Sequence, residues 1–246
     1  MTVTGPGGFR AAGVAAGIKP SGALDLALVV NDGPLDVAAG VFTRSVSKAA
    51  PVLWTQEVLK QQRLKAVVLN SGGANADTGP GGFQDTHATA EKVAEVLGSG
   101  AIEVAVCSTG PIGERLPMAA VLSGVDSAVK ALDASPEAGL DAAAAVMTAD
   151  SKPHQGFAKH DSGWSVGGFA EGAGVLSVLT TDAVVDKETL DRALRAATKV
   201  TFDGANDTVL VLASGASGVK PTEAELTELL TAVSLRYVEE NSAYSS

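Results

Sequence analysis

The 246-residue chain contains one cysteine, Cys107, so no internal disulfide can staple it. One cysteine and three scattered histidines, His87, His154 and His160, give no zinc-ligand spacing, and no metal site is expected. Aromatic residues make up only 4%, so the core must rely on Val, Leu, Ile and close backbone packing rather than on large rings. Positive charge is also short: 18 Lys and Arg stand against 28 Asp and Glu, giving a formal charge of -10 with no basic cluster to offset it. Such a surface repels nucleic-acid phosphates and anionic lipid, which leaves small molecules and other proteins as partners. No apolar run reaches membrane-spanning length, and "MTVTGPGGFRAAGVAAGIKPSG" has no basic segment followed by an unbroken apolar one. The expected location is the cytoplasm.

What is present describes a globular α/β chain, 46% apolar and 19% charged, long enough for one large domain or two small ones. Val- and Leu-rich runs at 24–30, 38–43, 65–70, 103–109, 175–181 and 208–215 read as buried strands. Helical patterns lie between them: "FQDTHATAEKVAEVLG", "LPMAAVLSGVDSAVKALD", "GLDAAAAVMTAD" and "KETLDRALRAATKV". Near the end, Thr222 and Glu225 have capping-box spacing ahead of an amphipathic helix carrying Leu226, Leu229, Leu230 and Val233. The polar stretch 151–168 reads as a loop with a short hairpin.

Chemistry concentrates in a few turns. "VCSTGPIG" ends a strand in a Ser-Thr-Gly turn, where backbone N–H groups and a hydroxyl can converge on a developing oxyanion; Thr109 and Gly110 are the candidate donors. "VLNSGGANADTGPGG" is a second Gly- and Asn-rich loop after a strand, a common place for ligands in α/β sheets, but without nucleotide-binding glycine spacing. In "AVMTADSKPH", Thr148 and Asp150 end an Ala-rich helix, where they either contact a polar substrate or cap the turn. The histidines and Cys107 have no partner pattern and receive no role. No cofactor is expected.

These stretches, together with "GVAAGIKPSGALDLALVV", "AAGVFTRSVSKAAPVLW", "GWSVGGFAEGAGVL", "VLTTDAVVDKETLDRALRAATKVTFD", "NDTVLVLASG" and the terminal "YVEENSAYSS", resemble successive blocks of the ornithine acetyltransferase (ArgJ) family, colinearly over nearly the whole chain. The resemblance implies a layered α/β sandwich of the ArgJ type. It also implies a precursor that cuts itself before a threonine, the new N-terminal Thr then carrying acetyl from N-acetylornithine to glutamate in arginine biosynthesis. The two fragments of such proteins stay together, so a homo- or hetero-oligomer is expected. By the same resemblance Thr109 and Gly110 form the oxyanion hole, and Thr148, Asn241 and Ser246 contact substrate. Residues 1–176 correspond to the N-terminal fragment and 177–246 to a shortened remnant of the C-terminal one.

The sequence departs from the family pattern in three places. After Gly172, Ala173, Gly174, Val175 and Leu176 the chain passes at once to Ser177, so the segment with the scissile bond and the nucleophilic Thr is missing. Glu171 stands where the pattern has a substrate-binding Lys, an inversion of charge that should repel the usual ligand carboxylate. The loop after "KVTFD" is shortened, and most of the second fragment is absent between "LLTAV" and "SLRYVEENSAYSS", which leaves the fold incomplete towards its C-terminus and should expose sheet edges. Two functional expectations follow. One is an acetyltransferase that uses a substitute hydroxyl, with Ser177 at the junction as the candidate. The other is a non-catalytic relative that binds an amino-acid-like ligand or a full-length family partner.

Overall fold

The computed structural model describes residues 2–172, 174, 176–198 and 203–242, with side chains through residue 234. The chain runs β1 (Phe9–Val14), β2 (Leu26–Asn31), β3 (Val37–Phe42), α1 (Ala50–Val58), β4 (Ala66–Asn70), α2 (Gly79–Leu97), β5 (Val104–Ser108), α3 (Met118–Ala131), α4 (Pro136–Ala145), β6 (His154–Lys159), β7 (Ser165–Glu171), β8 (Leu176–Thr181), α5 (Lys187–Ala197), β9 (Thr208–Ala213) and α6 (Glu223–Ser242). All six Val- and Leu-rich runs are strands, and the four helical patterns and the terminal helix are helices. The expected short hairpin in 151–168 is formed by β6 and β7, with β7 running on to Glu171, whereas strand β1 and helix α1 carry no long aliphatic run and do not stand out in the sequence.

The strands form two sheets, ordered β1-β2-β4-β5 and β3-β9-β8-β7-β6. Neighbours are antiparallel except β4 with β5 and β8 with β9. Each sheet is buried on both faces, which explains why its central strands read as continuous apolar runs. In β2, Ala27 and Val29 face the second sheet, while Leu26, Leu28 and Val30 face Val93 of α2 and Val121 and Val125 of α3. In β9, Leu210 and Leu212 turn inward and Val209 and Val211 pack on α5 and α6 through Leu190, Leu194, Leu226 and Leu230. The result is a four-layer helix–sheet–sheet–helix sandwich.

Small residues permit this layering. A Cβ on Gly13 of β1 would overlap the Asp141 carbonyl of α4, so the helix lies directly on the strand only because that position is glycine. Helix starts follow local chemistry: Ser135 and Asp186 accept N–H bonds from Ala138 and Thr189 at the starts of α4 and α5. At α6 the capping box is complete, with Thr222 N–H donating to Glu225 and Glu225 N–H donating to the Thr222 hydroxyl.

The expectation of bare sheet edges needs correction. Along β5, the Thr55 hydroxyl of α1 donates to Val106 O at 2.7 Å and accepts from Val106 N at 3.0 Å, and the Trp54 indole donates to Val104 O. The outer side of β1 bonds Asp133 in both directions, and Ala38 of β3 donates to Gln62 O. Side chains and loops of this chain therefore occupy edge groups that would otherwise invite a partner strand. Replacing Thr55, which is fully buried, by isosteric Val leaves two edge groups unsatisfied. Thr55→Val is expected to lower stability by about 1–3 kcal/mol in denaturant unfolding, against little change if the edge bonds are incidental.

Candidate functional site

Strand direction gathers the chemically distinctive residues at one end of the sandwich. The parallel strands β4 and β5 finish there at Asn70 and Ser108, β7 finishes at Glu171, and β8 and β9 begin there at Leu176 and Thr208. The two sheets are tied at this end by Asn206, whose side chain donates to Ser108 O at 2.9 Å. The C-terminal turn of α4 joins them, with the Ser71 hydroxyl donating to Ala145 O.

The Ser-Thr-Gly turn is held tightly. Thr109 N–H donates to Asn70 O and Gly73 N–H donates to Thr109 O, while the Ser108 hydroxyl donates to the Asn70 side chain at 2.6 Å. Gly110 has φ +128° and a Cβ there would lie 2.6 Å from Gly73 N, so only glycine fits the turn. Because the Thr109 N–H is engaged, the Thr109 hydroxyl and the Gly110 N–H are the donors left without a partner among the described residues.

Thr148 and Glu171 meet directly: the Thr148 hydroxyl donates to a Glu171 carboxylate oxygen at 2.5 Å. Burial pushes the Glu171 carboxyl above its ordinary range; the Thr148 bond opposes this, and the nearby Asp150 and Asp207 carboxylates reinforce it. Burial likewise raises Asp207. Asp150 accepts from Gly172 N–H and stands 3.4 Å from the ring of His154, which is buried at the start of β6. Asp150 and His154 thus belong to the rim. Their i,i+4 spacing was the available signal for His154, and it carries little weight outside a helix.

Ser177 is placed differently. It pairs with Ala170, while Glu171 pairs with Leu176, so alternation turns Glu171 and Leu176 towards the space between the sheets and Ser177 towards the α5/α6 side. Its hydroxyl is buried and donates to Gly174 O inside the short β7–β8 hairpin. The side chain of Asn241, in α6, and the whole of Ser246 lie outside the described residues. Cys107 is buried between the sheets with its thiol pushed up to about 12, and has no reactive character.

A cleft of about 370 Å³ opens beside Thr148, lined also by Lys19, Ser21, Leu24 and Met147. Its loop is organised by Asp25, a fully buried carboxylate that accepts N–H bonds from Ala16, Gly17, Ile18 and Lys19. Lys19 was not singled out in the sequence. Its ammonium donates to Leu24 O at 3.1 Å and Met147 O at 2.6 Å. Among the described residues, no group of His, Cys, Asp and Glu side chains could hold a metal ion, and no helix is long and apolar enough to cross a membrane.

Residues 10–246 match the family model described as the ArgJ family. The arginine biosynthesis bifunctional protein ArgJ of Mycolicibacterium paratuberculosis is 56% identical over 252 residues, covering 94% of this chain and 62% of that protein. The protein of the same name from Streptomyces coelicolor is 58% identical over 237 residues, covering 90% and 61%. The chain thus spans less than two thirds of the length of these curated relatives. Among solved structures, ornithine acetyltransferase from Mycobacterium tuberculosis, complexed with ornithine, is 62% identical with a TM-score of 0.70, covering 71% of this chain and 93% of that one. A β-aminopeptidase from Burkholderia sp. shares the fold alone, at 13% identity and a TM-score of 0.60, over 98% of this chain and 85% of its own.

The Glu171 environment has a measurable consequence. A carboxyl whose folded-state pKa is raised binds its proton more readily folded than unfolded, so stability falls as pH rises from the ordinary Glu range through the folded value. Glu171→Gln keeps an acceptor for Thr148 and removes that loss. Its melting temperature is expected to exceed that of the parent chain by about 2 °C at neutral pH and to converge with it in acid. Parallel curves at all pH values would show that burial of the carboxylate is not the cause.

Proposed function

The chain belongs to the ArgJ family, and from that premise we propose that its rim serves the acetyl-transfer chemistry of arginine biosynthesis, with N-acetylornithine and glutamate as ligands. The observation that carries this reading is the convergence, at one end of the sandwich, of the Thr109–Gly110 turn with the hydrogen-bonded pair Thr148–Glu171. In this reading the acetyl carbonyl oxygen of N-acetylornithine points at the Thr109 hydroxyl and the Gly110 N–H. Attack at that carbon turns the oxygen into an oxyanion, to which both donors bind more strongly than to the ground-state carbonyl. The C–N bond then breaks and ornithine leaves carrying the proton given up by the attacking nucleophile, after which the amine of glutamate displaces that nucleophile from the acetyl group and returns a proton to it. Thr148 and Glu171 orient the amino-acid part of the ligand. No cofactor enters this chemistry.

One feature of the fold favours a narrower statement for the chain alone, that it binds these ligands without forming an acyl-enzyme. Glu171 pairs with Leu176 across the β7–β8 hairpin, and the hydroxyl at its exit, Ser177, is buried and donates to Gly174 O, with no basic side chain hydrogen-bonded to it among the described residues. Turnover then requires a nucleophile from outside this chain, and association with a full-length family member is the arrangement that supplies one.

Intact-mass spectrometry before and after incubation with N-acetylornithine tests both statements. One unmodified mass, with heat released on titration of the same ligand, is the expected result. An acetyl adduct that disappears in Ser177→Ala would overturn the binding-only statement, and absence of any binding heat would overturn the site itself.

A further inference from the structure

The cleft beside Thr148 contains a cation that the proposed chemistry has not used. Lys19 is half-buried, and its ammonium is steered by two backbone carbonyls, Leu24 O and Met147 O, rather than by a carboxylate. Asp25, the acid closest in sequence, spends its oxygens on four backbone N–H groups, and no described acid forms an ion pair with Lys19. Burial lowers the Lys19 pKa, with Asp25 opposing that from a distance. A half-buried ammonium with two of its three N–H groups fixed, lining an open cleft, lacks a counter-ion. A group of opposite sign is linked to it through the chain: Met147, which holds Lys19, precedes Thr148, and Thr148 holds Glu171. Among the groups that shift the Glu171 carboxyl, only His154 favours its charged form electrostatically, against Asp150 and Asp207.

We propose that Lys19 is a specificity-determining residue that grips the carboxylate of an amino-acid ligand, while the ligand's ammonium faces the Thr148–Glu171 pair. The inference rests on the reading of the rim as an amino-acid site and adds which end of the ligand goes where. The third N–H of Lys19 makes a charge-assisted bond to the carboxylate, and Glu171 receives the ammonium that balances its burial. The ligand class is therefore one carboxylate with a nearby ammonium. A simple diamine lacks the group Lys19 needs, and a second carboxylate placed near Glu171 is repelled.

The test is calorimetric titration with ornithine and with 1,4-diaminobutane, which is ornithine without its carboxylate. The intact chain is expected to bind ornithine about tenfold more tightly than the diamine. Lys19→Gln should remove that preference by weakening ornithine binding, and Lys19→Arg, which keeps charge and reach, should retain it. Equal affinity for both ligands in the parent chain, or a preference that survives Lys19→Gln, overturns the proposal while leaving the amino-acid site standing. Binding of neither ligand overturns the site reading and the proposal together. Because Lys19 also bridges two carbonyls, Lys19→Gln is first checked by its melting curve. If it does not fold, the Lys19 Nζ resonance of the parent chain decides: movement with ornithine and not with the diamine supports the proposal, and movement with both or neither overturns it.

Discussion

Close contact between layers made of small side chains is the constraint on which the rest of the structure depends. Both sheets are buried on both faces with few aromatic residues to fill the space, so backbones must approach one another. Gly13 lets α4 lie directly on β1, and that placement carries the segment just after α4, with Met147 and Thr148, to the end of the sandwich where β4, β5 and β7 also finish. A larger residue at Gly13 would lift the helix and separate Thr148 from Glu171. The rim is thus a consequence of packing well away from it.

Charge at the rim follows one rule: carboxylates and ammonium groups are fixed by backbone groups or by a hydroxyl rather than by one another. Asp25 draws four N–H groups around itself and so shapes the loop that bears Lys19. Two carbonyls then hold the Lys19 ammonium at the cleft. Glu171 is anchored by Thr148 on a strand end and pressed by neighbouring acids. Preorganisation of this kind keeps the groups from pairing with each other.

The β7–β8 hairpin decides which way the hydroxyl at its exit faces. Strand pairing runs without interruption from Glu171–Leu176 to Val166–Thr181, and this register sends the Ser177 hydroxyl away from the rim. The family relationship spans nearly all of the chain but less than two thirds of its curated relatives. An alignment of 252 residues against a chain of 246 also requires gaps within the matched region. Among the described residues the rim brings together the Thr109–Gly110 turn and the Thr148–Glu171 pair, while the Ser177 hydroxyl is buried away from it.

Local features were legible without the fold. The Val- and Leu-rich strands, the amphipathic α5, the Thr222–Glu225 capping box and the glycine-dependent turn after Ser108 all depend on residues close together in the chain, and each appears where the pattern placed it. Strand β1 and helix α1 were missed because their Ala, Gly and polar residues become strand or helix only against neighbours that cover them. The face on which Ser177 lies, the meeting of Thr148 with Glu171 and the recruitment of Lys19, Asp150 and His154 to one rim were decided by tertiary structure alone. Periodicity and capping report on groups a few residues apart, whereas register and the approach of two sheets join residues more than a hundred positions apart, and only the packed backbone sets those distances.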